Sequence, residues 1–205
     1  MIVVGINVAL WFEGWFEDLR DAETEQQYLG GLRDDLRADI NLLDEVIKSN
    51  SARLDRLGEI VPTLSSLPDA EPEAQARAMF TPSSYLFFEP SDFTYRSMQE
   101  SGDFRLLQDA DTKKRLLKLI RSYRLIDTLQ KNFIQAMDDE YIPLMMAGFD
   151  LLEQRVTDPA VLGNQVFRNF FPYTYQDIET RLAVYESARD LARELVEMIE
   201  AQITG

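Results

Sequence analysis

The side chains best equipped for chemistry in this chain are carboxylates, in two clusters: Arg33 to Asp39 (RDDLRAD) and Asp138 to Tyr141 (DDEY). Paired carboxylates can share a proton in acid–base catalysis or ligate a hard cation. On a helix, however, sequence neighbours point about 100° apart, so adjacent acids do not converge on one proton or one ion. No Asp-x-Asp-x-Asp-Gly calcium loop accompanies them. Both clusters read as solvated helix faces.

The other chemical side chains are missing. There is no histidine and no cysteine. That excludes a Ser-His-Asp triad, a zincin motif, a Glu-x-x-His pair for a di-iron bundle, thiolate nucleophiles and disulfides. No P-loop, G-x-G-x-x-G or G-x-S-x-G is present. The expectation is a protein with no catalytic residue, no metal and no cofactor.

Binding is left as the task of the remaining groups. Lys114, Lys118 and Arg121 lie at i, i+4 and i+7 in the run KKRLLKLIRSYR, opposite an apolar stripe. They suit an acidic neighbour in the same chain, an acidic partner, or lipid heads. Two Pro-broken segments, YLFFEPSDFTY and VFRNFFPYTY, are dense in aromatic residues. Phe87, Phe88, Phe170 and Phe171 are their central members. Such side chains either cap the ends of a helical core or form an exposed patch for another protein. With the three cations, they are the candidate partner-binding residues.

The whole chain has 205 residues and a net charge of −15. Both duplex DNA and anionic lipid surfaces repel such a charge, which argues against a nucleic-acid role. The length suits one domain, or one domain with an anchor.

The beginning fits the second description. Met1 to Phe12 is an almost uninterrupted apolar run, followed by Trp15, Phe16 and then acidic residues. A membrane-spanning helix needs about 20 apolar residues, so these twelve read as its second half. Ile2, Val3, Val4, Ile6, Val8, Leu10, Trp11, Phe12, Trp15 and Phe16 form the expected anchor, with the aromatic residues at the membrane–water boundary. Gly5 and Ala9 make a small-x-x-x-small pair. A basic start and small-residue cleavage site, the marks of a signal peptide, are absent. The alternative is a buried first helix of a soluble domain.

Two segments carry a resemblance. GINVALWFEGWFE places Gly5, Ile6, Ala9, Leu10, Trp15 and Glu17 on a pattern of Gly-Ile-x-x-Ala-Leu followed by Trp-x-Glu. Downstream, Tyr95, Ser101, Gly102, Leu107, Asp109 and Tyr123 fall on a Tyr-x-x-x-x-x-Ser-Gly-x-x-x-x-Leu-x-Asp stretch and the Tyr-ending helix after it. Together they resemble an uncharacterised bacterial family, a domain of unknown function. Glu13 and Gly14 depart from its pattern, which usually has Asn there. The resemblance implies one N-terminal membrane helix and a helical extramembrane domain. It implies no reaction.

The elements that would position these residues are helices. Leu29, Leu36, Leu43, Leu57 and Leu64 recur every seven residues with Asn50 in register, which predicts one long helix from Trp15 to Val61, stopped at Pro62. Ser91 is expected to cap a short helix ending at Gly102, and Asp109 or Asp111 a second long helix reaching Arg155 with a bend at Pro143. Its apolar face includes Leu116, Leu119, Tyr123, Ile126 and Phe133. A last helix is expected over Tyr175–Ile203, its core face including Ile178, Leu182, Tyr185, Ala192 and Ile199. The expected fold is all-α: an elongated bundle of three long helices and one or two short ones, with residues 1–16 as partial membrane helix and 17–205 as extramembrane domain.

From Glu13 to Glu45 there are eleven acidic and three basic residues, unlike a cytoplasmic flank. The expected setting is a bacterial inner membrane with the domain facing the periplasm. The expected function is a non-catalytic scaffold or accessory subunit of a larger membrane complex, for instance a respiratory or photosynthetic one. The alternative is an extracytoplasmic helical bundle that senses a small ligand.

Overall fold

A computed structural model describes residues 2–204, and side chains from 15 to 203. Helix α1, Ile2–Ile60, is unbroken for 59 residues. The seven-residue register explains it: Leu29, Leu36, Leu43, Asn50, Leu57 and Leu64 are all buried. A 3₁₀ turn at Val61–Thr63, containing Pro62, ends it. Helix α2, Pro72–Phe80, and helix α3, Phe93–Ser101, follow, joined by an extended strap over residues 84–92. Gly102 closes α3 at φ +79°, a left-handed conformation that glycine adopts without strain.

Helix α4, Ala110–Ala136, gives way to a π-turn at Met137–Tyr141 and then to helix α5, Ile142–Gly148. The expected helix to Arg155 therefore ends early. Pro143 sits in the first turn of α5, where its missing N–H is no loss. A small hairpin follows, with β1, Phe149–Asp150, antiparallel to β2, Arg155–Val156. Asp150 Oδ1 accepts the Leu152 and Glu153 N–H groups at 3.0 Å each, which shapes the turn. Helix α6, Ala160–Gly163, leads into α7, Gln165–Thr204.

Helix α7 begins ten residues before the expected Tyr175. Asn164 caps it, its Oδ1 accepting Val166 N–H at 2.8 Å. Phe167, Phe170, Phe171, Thr174 and Ile178 are buried at helical spacing. That continuous apolar face outweighs Pro172, which only withholds the i+4 donor from the Arg168 carbonyl.

The all-α expectation holds apart from the two-residue strands, and the short helices outnumber the one or two expected. Among the described residues, no helix is long and apolar enough to cross a membrane. The anchor side chains from Ile2 to Phe12 lie outside those described. The boundary expected between residues 16 and 17 falls inside α1.

The chain gathers into two compact units. One comprises residues 1–41, 90–120 and 190–205; the other comprises 42–89 and 121–189. In the first, α1 and α3 approach closely at Gly31, where a Cβ would come within 2.8 Å of Thr94 Oγ1. Two carboxylates of α1 hold the start of α3: Asp35 Oδ2 accepts Thr94 N–H at 2.9 Å, and buried Asp39 accepts Ser91 N–H at 2.7 Å. The cluster RDDLRAD is thus partly a cap for another helix.

The second unit is built on aromatic packing. Tyr141 stacks on Phe170 at 4.7 Å and on Phe167 at 5.8 Å. Its hydroxyl donates to the Met79 carbonyl at 2.6 Å. Leu57, Met79, Phe133, Phe171 and Ile178 complete this core.

Candidate functional site

The interior of the second unit holds a polar cluster among these rings. Arg53 follows Asn50 by three positions and precedes Leu57 by four on the buried face of α1. Arg181 stands in the same relation to Ile178 and Tyr185 on α7. Helical register therefore turns both guanidinium groups inward. Their exposures are 0% and 1%.

Arg53 grips the turn between α2 and the strap. Its Nε donates to the Thr81 carbonyl at 3.2 Å, and its Nη2 donates to the Pro82 carbonyl. Asn50 Nδ2 donates to the Leu86 carbonyl at 3.0 Å. Gln130 of α4 clasps both backbone groups of Phe88: its Oε1 accepts the N–H at 2.8 Å, and its Nε2 donates to the carbonyl at 3.0 Å. The Tyr185 hydroxyl donates to the same Oε1 at 2.8 Å. The strap has no ladder or helix of its own, and these buried side chains hydrogen-bond its backbone at Leu86 and Phe88.

Arg181 has an ion-pair partner. Its Nε donates to Asp177 Oδ2 at 2.7 Å, and its Nη2 lies 2.6 Å from the same oxygen without hydrogen-bond alignment. Both arginines lie over Phe133, at 5.1 Å for Arg53 and 4.7 Å for Arg181. Arg53 also lies over Tyr85 and Arg181 over Phe87. Aromatic faces attract cations, by about 2 kcal/mol when desolvated.

Burial, reinforced by the charge of Arg181, lowers the Arg53 pKa to about 9, so it stays cationic at neutral pH. Burial raises Asp177 above the usual carboxylate value, against the pull of Arg181. It also raises Tyr141 and Tyr185. Three donors end without a hydrogen-bond partner, Arg53 Nη1 and both Arg181 Nη atoms, as does one acceptor, Asn50 Oδ1. Each such buried group costs about 1–3 kcal/mol. The cluster attracts negative charge.

The candidate residues from sequence are dispersed. Phe88, Phe170 and Phe171 are buried at 2%, 5% and 0%. Phe88 meets the Tyr123 ring at 5.0 Å, while Phe170 and Phe171 pack on Tyr141. The chain itself buries these three side chains. Phe87 is half-buried and stacks on Tyr85 at 4.5 Å. Lys114, Lys118 and Arg121 are exposed on α4. Their neighbour Arg115 pairs with Glu194 of α7. Asp138, Asp139 and Glu140 are exposed on the π-turn, in keeping with a solvated face. Among the described residues, no group of carboxylates is arranged to hold a metal ion.

No curated protein and no solved structure matches the chain. A family model does, over residues 1–134, which takes in both segments of the resemblance and runs from the start of α1 nearly to the end of α4. On that match the chain belongs to the family of unknown function DUF6090.

Proposed function

We propose that the protein is a membrane-tethered, non-catalytic helical scaffold, an accessory subunit of a larger bacterial membrane complex. Its first helix sits in the inner membrane, and the remainder faces the periplasm. One observation carries the tether. Trp15, Phe16 and Leu19 are about half exposed, at 48%, 57% and 48%, and from Trp15 onward no residue of α1 is buried before Leu29. The described chain thus leaves large apolar side chains uncovered where the apolar run ends. Burying each in lipid or a partner gains about 1.5–3 kcal/mol at most. The acidic residues that follow, with few Lys or Arg, favour the periplasmic side.

Partner contact falls to the exposed cations Lys114, Lys118 and Arg121, since the buried phenylalanines are already used. The test is extraction in mild detergent and native electrophoresis of the full chain, beside a variant with all three cations changed to Glu. The wild type migrates in a larger assembly, and the variant leaves it with its helical circular dichroism preserved. Identical migration as a lone chain in both samples overturns the scaffold reading. Protease protection in spheroplasts tests the orientation: digestion from the periplasmic side is expected, and full protection overturns it.

A further inference from the structure

Within the second unit, the end of α1, the turns after it and helix α2 border a cavity of about 350 Å³. Small side chains leave the space. Ala70, Ala74 and Ala78 follow at four-residue spacing along its wall, where larger residues would fill it. Gln75 of α2 holds the turn at Leu67–Asp69 in place, its Nε2 donating to the Leu67 and Pro68 carbonyls at 3.2 and 3.1 Å. The lining is graded by depth. Leu67 and Ala78 are buried at 4% and 1%, whereas Arg56, Glu59 and Arg77 are exposed. Apolar surface lies at the floor and charge at the rim.

The side-chain donors of the lining are of two kinds. The Thr63 and Ser66 hydroxyls already donate, to the carbonyls of Ile60 and Thr63. A hydroxyl has one proton, so neither has another to give. Arg56 and Arg77 make no ion pair and no side-chain hydrogen bond with any of the described residues. Glu59, the acid of the lining, pairs with neither of them. Two cations and one acid border the cavity, an excess of one positive charge, although the whole chain carries −15.

We propose that this cavity binds a small organic monoanion, a carboxylate with a compact apolar body. The carboxylate meets Arg56 and Arg77 at the rim, since guanidinium and carboxylate match as hydrogen-bonding partners. The body covers Leu67 and the alanines. One negative charge balances the excess. Inorganic phosphate would leave the apolar floor bare, and a neutral molecule would leave the arginines unused. The volume sets the size, because it lies near the bottom of the range of about 300–1,000 Å³ typical of small-molecule sites. This site goes beyond the scaffold role and depends on neither the tether nor a protein partner.

The chain has no cysteine, so a single introduced thiol reports on the site alone. The test is the rate at which iodoacetamide alkylates Ala74→Cys in the full chain in detergent, with isovalerate as the probe at constant ionic strength. Isovalerate at about ten times its dissociation constant should slow alkylation about tenfold. Acetate, which lacks the body, and isoamyl alcohol, which lacks the charge, should protect less, as should inorganic phosphate. Ser65→Cys, exposed and outside the lining, should react at one rate throughout. Adding Arg56→Met and Arg77→Met to Ala74→Cys should weaken the protection about tenfold or more. No slowing at about 50 mM isovalerate, which would saturate a millimolar site, overturns the proposal. So does equal protection by isoamyl alcohol or phosphate, equal protection of Ser65→Cys, or protection that survives the loss of both arginines. Should Ala74→Cys fail to fold, Ala70→Cys reports from the same wall with the same outcomes.

Discussion

Asp177 is the residue on which the buried charges depend. Its side chain is 13% exposed and neutralises Arg181 one turn along α7. Asp177→Asn leaves two cations without a counter-charge, and breaking a buried pair in this way costs about 3–5 kcal/mol. Urea unfolding at neutral pH reads that loss; a change under about 1 kcal/mol would show that the pair contributes little. Arg53 adds a pH signature. Its folded value of about 9 lies below the ordinary guanidinium value, so between the two the unfolded chain binds a proton that the folded chain lacks. Stability due to this residue should therefore rise with pH above about 9. Tyr141 and Tyr185, raised by burial, act in the opposite sense, so the signature is the difference between wild type and Arg53→Met across that window. A flat difference counts against the buried cation. Neither arginine was legible by residue type, because surface charges are common and most are solvated. Register alone marked them, each lying between two core positions on one helix face, and the apolar stripe around them masked that signal.

At the scale of elements, caps decide where helices begin. Asp109 stands before α4, and its Oδ1 accepts the Thr112 N–H at 2.6 Å. That bond holds its carboxyl below the usual range. A lowered folded pKa contributes stability above the unfolded value, near 3.8, and the contribution is lost as pH falls through the folded value. Asp109→Ala should cost about 0.5–2 kcal/mol in urea unfolding at neutral pH. Asp109→Asn should keep most of the cap and remove its acid sensitivity; an Asn variant as acid-sensitive as wild type would place that sensitivity elsewhere. This cap was readable, as was the left-handed stop at Gly102, because both are local. The seven-residue stripe of α1 was readable because it repeats. The start of α7 was not: Pro172 resembles a breaker, and only the packing of Phe167, Phe170 and Phe171 shows that the helix passes through it. The π-turn at Met137–Tyr141 and the hairpin at Phe149–Val156 carry no periodic pattern of their own. The caps on α3 were hidden for a different reason, since Asp35 and Asp39 reach it from more than fifty residues away.

For the whole molecule, the open question is whether the apolar beginning belongs to its own core or to a membrane. The two readings differ in energy. Each large side chain of residues 1–17 buried within the chain would add about 1.5–3 kcal/mol, and at this chain length 1 kcal/mol shifts the melting temperature by about 2–4 °C. Burying even two of them would make a truncated chain melt many degrees lower. Trp15 and Phe16 are instead exposed, and from Trp15 onward Leu29 is the first buried position of α1. A chain starting at Asp18 should therefore melt within about 2 °C of the full chain, with its helical circular dichroism preserved. Its net charge, the full chain's −15 without Glu13 and Glu17 and so −13, should keep it soluble. The full chain should pellet with membranes and resist carbonate. The same charge gives the rest of the chain no electrostatic attraction to anionic lipid, so direct contact with lipid should come from the first helix. A melting temperature lowered by ten degrees or more would return the segment to the protein core. Carbonate release of a full chain whose truncated form melts normally would instead place those aromatic side chains against another protein.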